Sequence, residues 1–402
     1  MESSLYIHIP FCAGACDYCD FYSVPVRSAK NAGDQAPGGR MDVFIDSLLA
    51  DIEDQFQFFG VEHVPTVYMG GGTPSVLGAA RMERLLSRLG AMLEGRGPPG
   101  EFTVEVNPES IDEDFLLACR NGGVSRISLG LQSFHKPSRR AVHRTGAAVP
   151  LDKQLGLVSR YYPGAFSADL IAGLPLQTEA VLLKDIARLI AFKPVHVSLY
   201  SLTIEPFTPL ARRVALHGKA ALCLPDQDEA DAVWLAGKAA LENAGYRQYE
   251  VSNFAQPGGE CLHNLRYWRM ENWLGAGPAA SGTIIDEASG TGRRFTYPSG
   301  IGAWHAAPRP KIRRAALEEL DRDTLMRESI LMGFRLRGGP DRALFMRRFD
   351  RDIAVIIPNT IDRWRRRGFF AGGGEGLALS CEGMLFLDAF LCESFGEMGK
   401  GE

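Results

Sequence analysis

Three cysteines near the start of the chain are the residues whose type and spacing say most about chemistry. Cys12, Cys16 and Cys19 form a C-x3-C-x2-C pattern directly behind the apolar run from Leu5 to Phe11. Three thiolates do not complete the four-ligand site of a structural zinc ion. They can hold three irons of a [4Fe-4S] cluster and leave the fourth iron open. The pattern therefore predicts a metal cluster at which a substrate or cofactor binds.

Two simpler interpretations of these cysteines compete with the cluster. A distant fourth ligand, such as His8 or His263, would complete a zinc site, and the thiols could also be free. The spacing alone does not separate these alternatives. The flanking sequence favours the cluster, because zinc knuckles and ribbons pair two short ligand turns and no second C-x2-C or H-x3-H follows. The other cysteines are scattered singly and are expected to pack in the core: Cys119, Cys223, Cys261, Cys381 and Cys392.

A repeated order of apolar run, turn and helical stretch must position this loop. The helical spacing is clearest at 42–59, where apolar residues recur on one face. Strand, helix, strand, repeated six times, predicts a parallel sheet with right-handed crossovers. Because six units fall short of an eight-stranded barrel, we expect an α/β fold with an open, partial (β/α)6 barrel. The predicted strands are Leu5–Pro10, Val64–Gly70, Phe102–Val106, Arg126–Leu131, Phe166–Ile171 and Val195–Leu202, and the further helices are 79–93, 111–121 and 178–192.

Polar and glycine-rich residues follow the predicted strands, at the end of the sheet where parallel folds place their working residues. The second strand ends in Gly70-Gly71-Gly72-Thr73-Pro74, and successive glycines let the backbone approach a ligand closely. Neither a phosphate-loop lysine nor a dinucleotide fingerprint is present, so the run fits a cofactor whose amino-acid end is gripped by backbone groups. Four side chains could hold an ammonium group, a carboxylate and a ribose there, although each alone is more often an ordinary polar surface residue: Glu105, Gln132, Arg144 and Asp169.

Composition indicates an ordinary globular chain. It has 402 residues, 46% hydrophobic and 23% charged, enough for a catalytic domain and a smaller one. The start shows no basic region followed by an apolar one, and no stretch approaches the roughly 18 apolar residues of a membrane span. We therefore expect a cytoplasmic protein, with reduced thiols. The net charge of -4 does not indicate the basic surface that nucleic-acid binding requires. The basic tract 363–367 is interpreted as a solvated helix face.

Four segments together resemble one known family, the radical S-adenosylmethionine (SAM) enzymes related to oxygen-independent coproporphyrinogen dehydrogenase. The similarity extends from Leu5 to about Phe395. The segments that carry it are Tyr6-Ile7-His8-Ile9-Pro10-Phe11-Cys12, Cys16-Asp17-Tyr18-Cys19-Asp20-Phe21, the Gly70 to Pro74 run, and Asp169-Leu170-Ile171-Ala172-Gly173-Leu174-Pro175.

The resemblance implies a cofactor set and the residues that bind it. Cys12, Cys16 and Cys19 would bind a [4Fe-4S] cluster whose open iron takes the amino and carboxylate groups of SAM. Reductive cleavage of SAM would then yield a 5'-deoxyadenosyl radical. The positions that match SAM contacts of the family are Tyr6, Tyr18, Gly71, Gly72, Thr73, Glu105, Gln132, Arg144 and Asp169.

Two branches of that family differ at positions visible in this sequence. The dehydrogenase branch has a fourth cysteine two residues after the third, and here that position is Phe21. The heme chaperone branch, HemW, has C-D-F there and an H-N-x-x-Y-W motif further on, and this chain has both. The resemblance thus implies heme binding at His263, Tyr267 and Trp268, with coproporphyrinogen III dehydrogenase as the alternative function. Histidine beside aromatic rings suits heme, although without the family a buried core histidine is the preferred interpretation.

Several expectations come from the family or from departures from it. The segment Val26 to Arg40 is interpreted as a flexible insertion. Around the position of Arg144 the family usually has a leucine-rich helix, and a histidine follows two residues later. This chain lacks that helix and has Gly146 in place of the histidine. Residues 1–224 would form the barrel, 225–310 a connecting region, and 311–402 a small, mainly helical, winged-helix-like domain.

A heme-dependent client, such as a respiratory oxidase or reductase, is implied by the resemblance alone. Peripheral membrane association and the oligomeric state stay open.

Overall fold

A computed structural model describes residues 1–26, 37–146, 149–372 and 376–399, and most of the predicted insertion from Val26 to Arg40 lies outside them. A long mixed sheet carries the fold. The strands are β1 Ser4–Ile9, β2 Phe11–Cys12, β3 Val24–Pro25, β4 Thr66–Gly71, β5 Glu101–Val106, β6 Arg126–Gln132, β7 Phe166–Ala172, β8 His196–Ser201, β9 Arg247–Gln248, β10 Asn253–Ala255, β11 Trp273–Ala276, β12 Ser281–Asp286, β13 Thr291–Thr296 and β14 Ala316–Leu320.

The centre of this sheet is parallel. Strands β1, β4, β5, β6, β7 and β8 lie side by side in that order, each parallel to its neighbour, as the six predicted strands require. The sequence did not reveal β11, which pairs in parallel with the other edge of β1. Antiparallel strands extend the sheet at both ends, β12 to β14 beyond β11, and β10 with β9 beyond β8. The α/β fold with an open, partial barrel is confirmed.

Helices connect and cover the strands, and the four predicted in the barrel region are present. Helix α1 buries the apolar stripe from Phe44 to Phe56, and Asp112 and Thr178 cap α3 and α6 through their side chains. The helices are α1 Pro37–Phe59, α2 Ala79–Leu93, α3 Glu113–Asn121, α4 Lys136–Ala141, α5 Leu151–Tyr161, α6 Glu179–Ile190, α7 Pro209–Ala221, α8 Gln227–Asn243, α9 Leu262–Trp268, α10 Ile301–Ala306, α11 Arg322–Gly333, α12 Arg342–Phe349, α13 Ile353–Ile356, α14 Pro358–Arg366, α15 Cys381–Leu385 and α16 Leu387–Met398.

Buried apolar side chains form two large clusters. The first lies on one face of the parallel strands, between them and the helices, and includes Val233 and Trp304. It therefore crosses the predicted boundary at 224, and the domain boundaries stay predictions. The second is formed largely by α11 to α16 around Trp364 and Phe390, whose ring centroids are 5.1 Å apart. Arg363, from the basic tract, pairs with Glu393 at 2.8 Å. None of the helices in the described ranges is long and apolar enough to cross a bilayer.

Candidate functional site

A cavity of about 380 Å³ opens at the carboxyl ends of the parallel strands. The strands from β1 to β8 deliver side chains to it because parallel strands end at the same edge of a sheet. Most of the predicted cofactor residues line this cavity: Cys12, Cys16, Tyr18, Cys19, Gly71, Gly72, Thr73, Glu105, Gln132, Arg144 and Asp169. Tyr6 and the predicted heme residues His263, Tyr267 and Trp268 lie elsewhere.

Hydrogen bonds hold the loop that carries the three cysteines. The sulfur of Cys12 lies 3.3 Å from Thr73 Oγ1, in the glycine-rich turn after β4. The N–H of Cys19 donates to the carbonyl of Cys16 at 3.3 Å. Asp17 anchors the loop from outside, because its Oδ2 lies 2.8 Å from His143 Nδ1 and accepts a hydrogen bond from Arg213 on α7. The loop is therefore positioned by β4, by the residues after α4 and by α7.

The three thiols that would hold an iron–sulfur cluster lie together in the structure. All three line one cavity. Across residues 1–26, 37–146, 149–372 and 376–399, no three His, Cys, Asp or Glu side chains gather closely enough to share one ion. Burial raises the pKa of Cys19 to about 11, and a bound metal offsets that cost by stabilising the thiolate.

The glycine run brings backbone against Glu105. A Cβ on Gly70 would lie 2.7 Å from the carboxyl carbon of Glu105. Gly71 has a φ of +100°, and its N–H donates to Glu105 Oε2 at 3.2 Å. The hydroxyl of Tyr68 donates to Glu105 Oε1 at 2.7 Å. Burial raises the pKa of Glu105 to about 7, and the Tyr68 hydrogen bond opposes that rise. A positively charged ligand in the cavity would shift Glu105 towards its ionised form.

A β-bulge ends β6 beside the cavity. The register with β7 shifts between Gly130 and Gln132, and Gln132 has a φ of 69°. A left-handed backbone at a non-glycine residue costs of order 1 kcal/mol and is concentrated at functional sites. On the next strand, Asp169 stands opposite Gly130. Burial raises the pKa of Asp169 to about 6, and a hydrogen bond from Ser198 opposes the rise. The cavity thus contains two carboxyl groups that ionise near neutral pH.

Arg144 joins the cysteine loop to the ends of β5 and β6. Its Nη2 donates to Asn107 Oδ1 and to the carbonyl of Gly130, each at 2.7 Å. Its Nη1 lies 3.7 Å from the sulfur of Cys16 and 3.6 Å from Glu109 Oε1. Asn107 in turn donates to Thr73 Oγ1 at 2.8 Å. Arg144 is therefore part of the cavity wall, and Asn107 is a wall residue that the sequence analysis did not select.

The two predicted tyrosines take different places. Tyr18 lines the cavity and packs beside Val142, Ile171 and Leu174. Tyr6 lies behind the cavity, where its hydroxyl is 3.1 Å from His8 Nδ1 and its ring stacks on Tyr68 with 6.4 Å between centroids. A direct SAM contact by Tyr6 stays a prediction.

The H-N-x-x-Y-W motif forms α9, under the β4–β5 side of the barrel. Glu101 accepts hydrogen bonds from the N–H groups of Leu262 and His263, each at 3.1 Å. His263 is 1% exposed, with Nδ1 at 2.8 Å from Thr66 Oγ1 and Nε2 at 2.9 Å from the Tyr267 hydroxyl. Burial lowers the pKa of His263 to about 3. Both ring nitrogens are therefore engaged inside the protein, and the ring is neutral.

His263 also contacts the cofactor cavity indirectly. Its ring stacks on Tyr68 with 5.2 Å between centroids, and Tyr68 is the residue that donates to Glu105. Trp268, at the end of α9, lies under the guanidinium of Arg335 at 5.6 Å. The role of Tyr68 could not be found from the sequence, because it depends on the pairing between β4 and β5. The signal available was its place two residues before the glycine run.

Comparisons with known proteins agree with this architecture. The radical SAM superfamily matches residues 6–189, and the HemN C-terminal domain matches residues 320–386. The chain is 34% identical to the heme chaperone HemW of Lactococcus lactis, over 84% of this chain and 82% of that protein. It is 36% identical to the heme chaperone HemW of Escherichia coli, over 70% of each.

A mammalian relative and a solved structure extend the comparison. A bovine protein called radical S-adenosyl methionine domain-containing protein 1, mitochondrial, is 33% identical over 83% of this chain and 68% of its own length. The structure of coproporphyrinogen III oxidase (HemN) from Escherichia coli, described as a radical SAM enzyme, superposes with a TM-score of 0.77. It is 22% identical and covers 97% of this chain and 89% of that one, so it shows the fold.

Proposed function

The chain belongs to the HemW family of radical SAM proteins, and on that premise we propose that it binds heme and delivers it to a heme-dependent client protein. Membership implies a [4Fe-4S] cluster and SAM. The observation that carries the proposal is the single cavity in which three thiols, a glycine-rich turn and two buried carboxyl groups meet. A cytoplasmic location, where thiols stay reduced, suits this cofactor.

Cys12, Cys16 and Cys19 would hold the cluster. The hydroxyl of Thr73 and the guanidinium of Arg144 lie near two of the sulfur atoms and would reduce the negative charge on the thiolates. When bound, the cluster can supply one electron to SAM at its open iron. The protein contributes the partly enclosed cavity and the fixed positions of the three thiols.

Backbone and carboxyl groups would hold SAM. The turn at Gly71, Gly72 and Thr73 presents backbone to the cavity, and Glu105 stands behind it. Glu105 and Asp169 have pKa values raised to about 7 and about 6, so a cation such as the ammonium group of SAM would draw them into the charged state. Gln132, fixed by the bulge of β6, adds a neutral amide. These roles follow the family resemblance.

Phe21 favours the chaperone over the dehydrogenase. It takes the position where the dehydrogenase branch has a fourth cysteine, lines the cavity and is 62% exposed. An aromatic ring at this position leaves the cavity without the fourth thiol of the dehydrogenase branch. Proteins named heme chaperone HemW match this chain along most of its length.

The resemblance assigns heme to His263, Tyr267 and Trp268, and this assignment stays a prediction. In the described conformation a heme iron reaches His263 Nε2 only if the hydrogen bond to Tyr267 opens and the buried ring becomes accessible.

One anaerobic experiment tests the proposed function. Reconstituted protein should contain about four irons per chain, bind added heme with a defined Soret band, and release the heme to excess apomyoglobin as a surrogate acceptor. It should not convert coproporphyrinogen III in the presence of SAM and a reductant. Protoporphyrinogen formation that is lost in Cys16→Ala and kept in Cys392→Ala would overturn the chaperone proposal in favour of the dehydrogenase. Failure of the reconstituted protein to bind heme would overturn it as well.

A further inference from the structure

The cluster loop separates two cavities. The cluster loop begins at β2, residues 11 and 12, and ends at β3. These two strands pair with each other, so the two ends of the loop lie side by side. Cys12, Phe21 and Ser23 line the cofactor cavity, whereas the adjacent Phe11, Tyr22 and Val24 line a second cavity on the other side. Side chains thus alternate across the loop as they do across a strand. The wall between the two cavities is one backbone thick.

The second cavity is larger and has a mainly aromatic and aliphatic wall. Its volume is about 640 Å³, within the roughly 300–1,000 Å³ that small-molecule and cofactor sites occupy. Phe11 and Phe44 meet edge to face with ring centroids 5.2 Å apart. The lining residues are Phe11, Tyr22, Val24, Pro25, Val26, Arg40, Met41, Val43, Phe44, Gly300, Ile301, Gly302 and His305. Arg40, His305 and the hydroxyl of Tyr22 are the polar groups among these side chains.

A histidine with an oriented ring lines this cavity. The Nδ1 of His305, on α10, lies 2.8 Å from Ser47 Oγ on α1. Among the residues that the structure describes, none hydrogen-bonds His305 Nε2. A hydrogen bond at one ring nitrogen fixes the tautomer and the direction of the other, as is usual for histidines that bind metals. His305 is exposed, so a ligand bound there could also leave.

We propose that this second cavity binds the plane of the heme and that His305 Nε2 is the axial ligand of its iron. The inference rests on the proposed function, since it takes heme as the ligand. The cavity offers aromatic and aliphatic walls and one available imidazole nitrogen, which suit a porphyrin and its iron. Only the cluster loop would then separate the heme from the irons.

The H-N-x-x-Y-W motif offers the competing position. His263 is buried and both of its ring nitrogens have partners, whereas His305 is exposed and has one partner. Ligation by His305 costs no hydrogen bond that the structure records. The structure therefore favours His305 as the residue that touches the iron, and His263 as a residue that supports Tyr68.

Heme titration of matched variants of the full-length, anaerobically reconstituted protein tests the proposal. His305→Ala should lower heme affinity by about tenfold or more and shift the Soret band, and added imidazole should restore the band. Ser47→Ala, which keeps the ligand but loses its orienting bond, should have a smaller effect of about two- to tenfold. His217→Ala, an exposed histidine on α7 away from this cavity, is the matched control and should bind like wild type.

The outcomes separate this proposal from the proposed function. If wild type binds no heme, the proposed function fails. If wild type binds heme and His305→Ala keeps both the affinity and the Soret band, this inference alone is overturned. Loss of the band in His263→Ala but not in His305→Ala would place the ligand in the H-N-x-x-Y-W motif instead.

Discussion

Replacing Tyr68 with Phe tests whether Glu105 holds the cation of SAM. Tyr68 donates the 2.7 Å hydrogen bond to Glu105 Oε1, and its ring stacks between Tyr6 and His263. The substitution removes one oxygen atom and leaves the ring in place. The carboxylate would then lose a donor that stabilises its charged form, while the N–H of Gly71 remains.

The expected magnitude follows from the hydrogen bond. A bond to a charged group contributes about 1.5–3 kcal/mol, and 1.36 kcal/mol corresponds to one pKa unit. Tyr68→Phe should therefore raise the pKa of Glu105 from about 7 by about one to two units. If SAM binds only the ionised carboxylate, the affinity at pH 7 should fall by about five- to fiftyfold. Binding strengthens as pH rises through the pKa of Glu105, so the deficit should shrink to about twofold or less at pH 9.

Calorimetric titration of SAM into anaerobically reconstituted protein between pH 6 and pH 9 measures this shift. Tyr246→Phe is the matched control, because Tyr246 is also buried and its hydroxyl donates to the backbone carbonyl of Pro194, remote from the cavity. The iron content of both variants should equal that of wild type. Equal SAM affinity of wild type and Tyr68→Phe at every pH, with iron intact, would refute the role given to Glu105.

Three further predictions concern the cluster, a buried acid and the glycine turn. Cys16→Ala should abolish iron binding after reconstitution, whereas Cys392→Ala should keep about four irons by colorimetric assay. Asp51→Asn should be more stable than wild type in urea at pH 8 and nearly equal at pH 4. Burial raises the pKa of Asp51 from 3.8 to about 7, so wild type loses up to about 4 kcal/mol of stability as pH rises between these values. Gly71→Ala should lower the melting temperature and SAM affinity, because its Cβ would lie 2.3 Å from the His8 ring, while exposed Gly90→Ala in α2 should stabilise by about 1 kcal/mol.

The parallel centre of the sheet could be predicted because each of its strands is a compact apolar run followed by a helical stretch. Local periodicity is sufficient for such units. The strand β11 could not be found in this way. Trp273–Ala276 is four residues long, and no helix after it leads to a neighbouring parallel strand. Its partner β1 lies near the start of the chain, far away in sequence. A short segment whose partner is so distant carries no local signal.

The site also contains some residues that local sequence patterns predict and others whose role depends on tertiary packing. Strand-end residues such as Glu105 and Asp169 could be predicted to meet, because parallel strands end at one edge. The function of the H-N-x-x-Y-W motif could not be read from residue types, since an imidazole beside a phenol suits either a heme or a packed core. Only the packing shows that His263 lies against Tyr68 and that Tyr68 donates to Glu105. The motif is thus physically connected to the SAM cavity through one aromatic ring, while the exposed His305 stands on the far side of the cluster loop. If heme binds at His305, loss of the His263 ring should weaken SAM binding more than heme binding, which reverses the order expected of a heme ligand.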